Sequence, residues 1–408
     1  MQLSRNAVLA LCTAVLVLTS ASITVFSLCL PWVEREFGWP RAVSTIPYTV
    51  AMVAWGISSP IFGKLADDHG TRPVMLGGII TMATGFLGMG LAQNLWQLAV
   101  AFGVLAGTAM GACGISMGAL LVSKHFDARS RGWAVSVVQA ASPLYPLLFA
   151  PLLYLVIRAF DWRTAALVTS GLLWFVALPL AWVGARDPDA ARLGAPARQP
   201  WSACLPYLRN RSMLALFAAR LACGLAFFQS AHLVAMGISK GFDAHVGTTA
   251  LSIFGLSAVG WALIFGRLAD RFGRSRTLGV SYALRGVGTL ALALTVPSEL
   301  GFYALVAIGI GPTFGTIAVQ NVLFYEVVGP RLAGLVLGLS FIVHQLGSSI
   351  GPQLGSIIFD VTKSYDQYQF ALGLILLVSA AICFSVDVRK LTARPPGPVV
   401  VAASPSGV

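Results

Sequence analysis

The chain has 408 residues, of which 57% are hydrophobic and only 10% charged; with a mean hydropathy of +0.80, it lies outside the range of soluble globular domains. Its formal net charge of +12 does not point to nucleic acid, because the bases fall in short clusters between long apolar runs rather than on one face interleaved with aromatics. The six cysteines form no CxxC pair and no secreted disulfide pattern; five lie in apolar runs and Cys204 in a basic connector, so they read as small apolar residues.

A membrane-spanning helix needs about 20 mainly apolar residues. In chain order, 7–30, 44–63, 74–92, 95–122, 132–157 and 163–184 meet that requirement. After a polar stretch, so do 212–238, 246–265, 277–296, 300–325, 332–358 and 367–387. The first run is too long for a signal-peptide core and no A-x-A site follows it, so it reads as an uncleaved span. The polar stretch, "ARDPDAARLGAPARQPWSACLPYLRNR", reads as a linker, and the tail after Lys390 as disordered. The expectation is an all-α membrane protein of twelve transmembrane helices. Its parts are a six-helix bundle over 1–184, a linker over 185–211, a second six-helix bundle over 212–390 and a tail over 391–408.

An even number of spans puts both termini on one face. Loops on that face carry 19 of the 27 Lys and Arg residues, and loops on the other carry six. The positive-inside rule therefore places the termini and the linker in the cytoplasm, and the chain in the inner (cytoplasmic) membrane.

Residues 63–73 read "GKLADDHGTRP" and residues 266–276 read "GRLADRFGRSR". Both fall between the second and third helices of a six-helix set, and an internal repeat in register marks a transporter built from two similar bundles. Gly63, Gly70, Gly266 and Gly273 are expected to permit the turns. Asp67, Arg72, Asp270 and Arg274 are expected to hold contacts between bundles, as a gating motif that does not touch substrate. The pattern G-x-x-x-D-x-x-G-x-R resembles the signature loop of the major facilitator superfamily, a resemblance that covers about residues 5–390. It implies the major facilitator fold and rocker-switch alternating access. It also implies that Asp67 and Asp270 stabilise one state, Asp67 with Arg129 or Arg131 as partner. Asp68 and Thr71 stand where that family usually carries bases, and the second copy is closer to the norm.

A narrower resemblance is to the monocarboxylate transporter branch. It rests on "SITVF" at 22–26, "EFGW" at 36–39, "RGWAVSVVQAASPLYPLLFAPL" from Arg131, "DWR" at 161–163, "VGPRLAGLVLGL" and "GPQLGSIIFDVTKSY". The departures bear on substrate. Where that branch carries a lysine in the first helix this chain has Ser27-Leu28, and Ala258 and Ala262 replace its Asp and Arg in the eighth. Tyr145 stands where a small residue is typical and would reshape the pocket. The branch's carboxylate clamp and proton-carrying acid are therefore not transferred.

Charged groups at bilayer depth are costly and usually functional. The spans contain Arg220, Arg285, His232 and His344 and no deep acid, since only Glu326 approaches burial. A positive interior favours an anionic substrate. Arg220 can hold a carboxylate bidentately or snorkel to headgroups. Arg285, on a helix that is peripheral in this fold, reads as structural: packing, snorkelling or pairing with Glu326. Polar stripes recur at helical spacing: Gln229 with His232; Gln139 and Ser142 with Pro146; Thr313, Thr316 and Gln320; and Ser340, His344 and Ser348 beside Gln345. Each could be interhelical glue; together they favour a pocket formed by Arg220, Gln229, His232, Gln139, Ser142, Tyr145, Gln320, His344 and Gln345. Either histidine could carry a proton near neutral pH. The recurring Gly103, Gly107, Gly111, Gly114 and Gly118 read as close helix packing.

The sequence thus reads as a monomeric transporter of a small organic anion, a carboxylate, in a lipid bilayer, with a proton or an exchanged anion as the coupled species. The alternatives are an exporter of larger amphipathic compounds and a non-transporting nutrient sensor. Paired core carboxylates, His-rich metal spacing, a Ser/His/Asp set and an ATP-binding P-loop are not found, so no enzyme, metal or cofactor is expected.

Overall fold

The computed structural model describes residues 4–127, 130–187, 205–295 and 298–386. The expected tail at 391–408 and most of the linker lie outside them, as do Arg129 and the side chain of Arg131.

Among the described residues twelve helices are long and apolar enough to cross a membrane. They are α1 Arg5–Phe37, α2 Arg41–His69, α3 Thr71–Leu91, α4 Leu95–His125, α5 Trp133–Ala159 and α6 Trp162–Gly184, then α7 Arg211–Ala231, α8 Ala244–Phe272, α9 Arg274–Leu294, α10 Glu299–Gly329, α11 Leu332–Thr362 and α12 Asp366–Ser385. All twelve expected spans are present, in two bundles of six.

The sequence repeat is a structural repeat. Helices α2 and α8 are both 29 residues long, and α3 and α9 both 21. Both α4 and α10 contain a π-helical stretch, over Ala99–Ala106 and Val306–Ile310; such stretches free a carbonyl from the helical ladder. In α10 the Trp261 indole donates to the freed Ala307 carbonyl at 2.8 Å.

The polar knots at 63–73 and 266–276 are not loops. The helix continues through His69 in one copy and Phe272 in the other, and a single glycine reverses the chain: Gly70 at φ +91 and Gly273 at φ +90. Lys, Arg and Asp extend a helix readily, whereas this φ is open mainly to glycine. Gly63 and Gly266, expected at the turns, lie inside α2 and α8 and make no close approach.

The glycines of α4 do serve packing. A Cβ on Gly107 would stand 2.5 Å from Ala51 Cα, so α4 and α2 meet backbone to backbone. The five described cysteines are free and buried, as expected of small apolar residues.

Helix ends are tied by long-range polar contacts. At the far face, opposite the N-terminus, Arg163 pairs with Glu36 at 2.6 Å and donates to the Ala92 carbonyl beyond α3. In the second bundle Lys240 pairs with Asp366 at 2.6 Å and donates to the Thr295 carbonyl beyond α9 at 3.2 Å. The same device appears in both halves with the signs of its two helices exchanged.

Candidate substrate site and interbundle seal

Helix α7 enters from the N-terminal face with its first amides capped by Asn210. Nine residues later, about 13 Å along the axis, it carries Arg220, which is 3% exposed. That burial rules out snorkelling to headgroups. Its Nε and Nη1 meet no acceptor. Helix α11 runs parallel against it through glycine contacts: a Cβ on Gly224 would stand 2.9 Å from Gly347 Cα. One turn earlier, that register sets Arg220 level with Ser340 and His344. Ser340 Oγ and His344 Nε2 are likewise buried without a partner. His344 Nδ1 lies 3.0 Å from Gln345 Oε1, and the ring edge meets Phe227 at 4.7 Å. Arg220, Ser340 and His344 thus form a buried set of unused polar atoms facing no carboxylate.

Several expected pocket residues lie elsewhere. Gln229 is fully buried inside the second bundle, its Nε2 donating to Thr289 at 2.9 Å and Gln369 at 3.2 Å. Gln320 donates to the Leu216 carbonyl at 2.9 Å and accepts from Tyr282 at 3.3 Å. Both tie helices together. Tyr145 is buried in the first bundle, stacked on Phe149 at 4.8 Å. Gln139 and Ser142 are half-buried on the N-terminal-face side of the crossing where α8 at Gly255 meets α5 at Leu147. Arg285 does not pair with Glu326, which instead lies 2.9 Å from Arg274. Arg285 is fully buried in the second bundle, too deep to snorkel, and donates to Cys223 Sγ at 3.3 Å.

His232 belongs to a seal between the bundles. Its Nε2 lies 2.9 Å from Ser356 Oγ of α11 and 3.3 Å from Thr45 Oγ1 of α2, and those two hydroxyls are 2.7 Å apart. One turn nearer mid-membrane Thr49 donates to Gln353 at 2.9 Å, and Gln353 reaches back toward the far face to donate to the Ala42 carbonyl at 2.9 Å. Helix α2 starts after Pro40 with no capping side chain of its own. The cap comes from the other bundle, where Asp360 accepts from the Arg41 and Ala42 amides at 2.9 and 2.8 Å. The Arg41 side chain grips Glu34 through two bonds of 2.7 Å, donates to Tyr365 at 2.9 Å and lies 3.8 Å over the Phe359 ring. Toward mid-membrane Gln345 donates to the Met52 thioether at 3.8 Å, and Trp55 meets Phe341 edge-on at 5.3 Å. These contacts close the bundles against one another on the far half of the molecule.

Sequence reasoning did not find Arg41, Glu34, Asp360 or Tyr365. The available signal was a helix start after Pro40 without Ser, Thr, Asn or Asp to cap it.

At the N-terminal face Asp67 is exposed, while Asp270 pairs with Arg274 at 3.2 Å. The first copy uses another acid. Asp187, just past α6, accepts from the Thr71 amide at 2.7 Å and the Arg72 amide at 3.2 Å, and pairs with Lys124 at 2.9 Å. Burial alone would raise the Asp187 carboxyl; the bonds from Thr71 and Lys124, the Lys124 charge and the Arg72 amide hold it below the usual carboxylate range. Arg72 lies over the Trp182 ring at 4.4 Å.

Twelve spans, a doubled bundle and paired glycine reversals agree with the comparisons with known proteins. Residues 11–352 match the Major Facilitator Superfamily family model. The mouse "Monocarboxylate transporter 11" is 30% identical over 357 residues, covering 83% of this chain and 77% of that protein. The human protein of the same name is 26% identical, covering 82% and 72%. "Multidrug resistance protein MdtG" of Yersinia enterocolitica is 25% identical, covering 84% of each. This chain is a multi-pass membrane transporter and not an enzyme, and it belongs to the major facilitator superfamily.

Proposed function

We propose that this protein carries a small organic anion, a carboxylate, across the cytoplasmic membrane by alternating access, as a monomer with both termini in the cytoplasm. The observation that carries the reading is Arg220, buried at mid-helix with two unpartnered nitrogens beside the unused Ser340 hydroxyl and His344 Nε2. An isolated buried charge is strongly unfavourable and needs a counter-charge. A carboxylate fits the planar guanidinium fork bidentately. The names of the monocarboxylate transporter relatives support the same class. With the seal closed on the far half, access to the site in this reading is from the N-terminal face, which the excess of Lys and Arg assigns to the cytoplasm. In that state Asp67 is released, and in the opposite state it latches the cytoplasmic ends of the bundles together.

A second reading, export of larger amphipathic compounds, is favoured by the similarity to the multidrug resistance protein.

Uptake of labelled short carboxylates into proteoliposomes, with and without a proton gradient, tests the reading. Wild type accumulates at least one, and Arg220→Ala lowers its uptake by about tenfold or more, the equivalent of about 1.4 kcal/mol, without lowering thermal stability. If no carboxylate is carried, or Arg220→Ala transports as wild type does, the reading is wrong.

A further inference from the structure

One carboxylate would neutralise Arg220, but a second guanidinium stands beside it. Arg285 of α9 is 0% exposed, and although its Nη1 reaches Cys223 Sγ, its Nε and Nη2 meet no acceptor. Helices α7 and α9 both run from the N-terminal face to the far face, and two contacts fix their register. The Tyr282 hydroxyl donates to the Ala219 carbonyl at 2.7 Å, and one turn on, Arg285 reaches Cys223 at 3.3 Å. Arg220 sits inside that interval, its Cα about 4.5 Å along the axis before that of Cys223, the residue Arg285 reaches.

Nothing among the described residues neutralises the pair. Every described Asp and Glu stands in the last turn of a helix, at its first residue or in a loop. Unlike Lys or His, arginine cannot escape burial by shedding its proton. Two like charges on neighbouring helices in a medium of low dielectric also repel one another. The deficit is two negative charges, not one.

We infer that the substrate is a dianion, a short dicarboxylate, held by Arg220 and Arg285 together. The Ser340 hydroxyl and His344 Nε2 serve the end of the substrate bound by Arg220. Cys223 is the neutral spacer between the two cations. This rests on the anion reading of Arg220 and narrows it.

The test is uptake of labelled succinate into proteoliposomes, with unlabelled succinate, butyrate and inorganic phosphate as competitors. Succinate should compete at least about tenfold better than butyrate, a difference of about 1.4 kcal/mol. Arg285→Gln should abolish that preference, so that succinate competes no better than butyrate in the variant. Arg285→Lys, which keeps the charge, should retain part of the preference and serves if the glutamine variant does not fold. Phosphate outcompeting succinate would also support a dianion, but one with both charges on a single centre. Butyrate matching succinate and phosphate in wild type would overturn the dianion inference and leave the anion reading of Arg220 standing. So would an undiminished preference in Arg285→Gln. If no anion is carried and Arg220→Ala is silent, both fall.

Discussion

Asp360→Ala tests whether the far-face seal is a conformational device. Asp360 supplies the only side-chain cap on α2, accepting two backbone amides from the opposite bundle at 2.9 and 2.8 Å. Loss of an N-cap acid costs about 0.5–2 kcal/mol. Donors and acceptor lie on different bundles, so the bonds exist only while the seal is closed; once it parts, the amides are hydrated in wild type and variant alike. The whole cost therefore falls on the closed state. At about 1.5 kcal/mol it changes the open-to-closed ratio roughly tenfold. Spin labels at the exposed Arg35 and Lys363 positions, one on each bundle, report the separation at that face by pulsed dipolar spectroscopy. The variant should gain a longer-distance population, and Asp360→Asn, which keeps one acceptor oxygen, a smaller one. An unchanged distance distribution in a folded, monodisperse Asp360→Ala protein would refute the reasoning.

Two further outcomes are expected. Asp187→Asn should lower thermal stability in detergent, by about 1 kcal/mol for a partly exposed capping charge. Because the folded-state carboxyl is held low, the wild-type advantage is fully present above the unfolded carboxylate value of about 4. It is lost as pH falls through the folded value, so the two proteins should differ equally at pH 8 and 6 and converge only in strong acid. Gly107→Val should cost more than about 2 kcal/mol or abolish folding, since its Cβ would meet the α2 backbone at 2.5 Å; the same change at Gly63, where nothing lies within 4 Å, should leave the melting temperature within a few degrees.

The spans, the bundle repeat and the family were legible in the sequence because each depends on local properties. A run of Leu, Val, Ala and Phe partitions into a bilayer whatever its neighbours do. The motif glycines are readable for the same reason: Gly70 and Gly273 must adopt a backbone angle that few other residues tolerate. Helix-forming charges carried α2 and α8 through the expected loops, where a local reading had placed turns.

The site depended on tertiary structure. Gln229 and Gln320 looked like pocket residues because a polar stripe on one helix does not reveal whether its partner is another helix or a ligand. Packing gave them the partners Thr289, Gln369 and the Leu216 carbonyl. Arg220 and Arg285 were visible as buried cations, but that both remain unpartnered around Cys223 follows only from the register of α7 with α9. His232 and Asp360 lie 128 residues apart in the chain, yet both meet α2 at the seal. Hydrophobicity and backbone angles are fixed by a residue and its immediate neighbours, whereas neutralisation of a buried charge depends on what the fold brings to it.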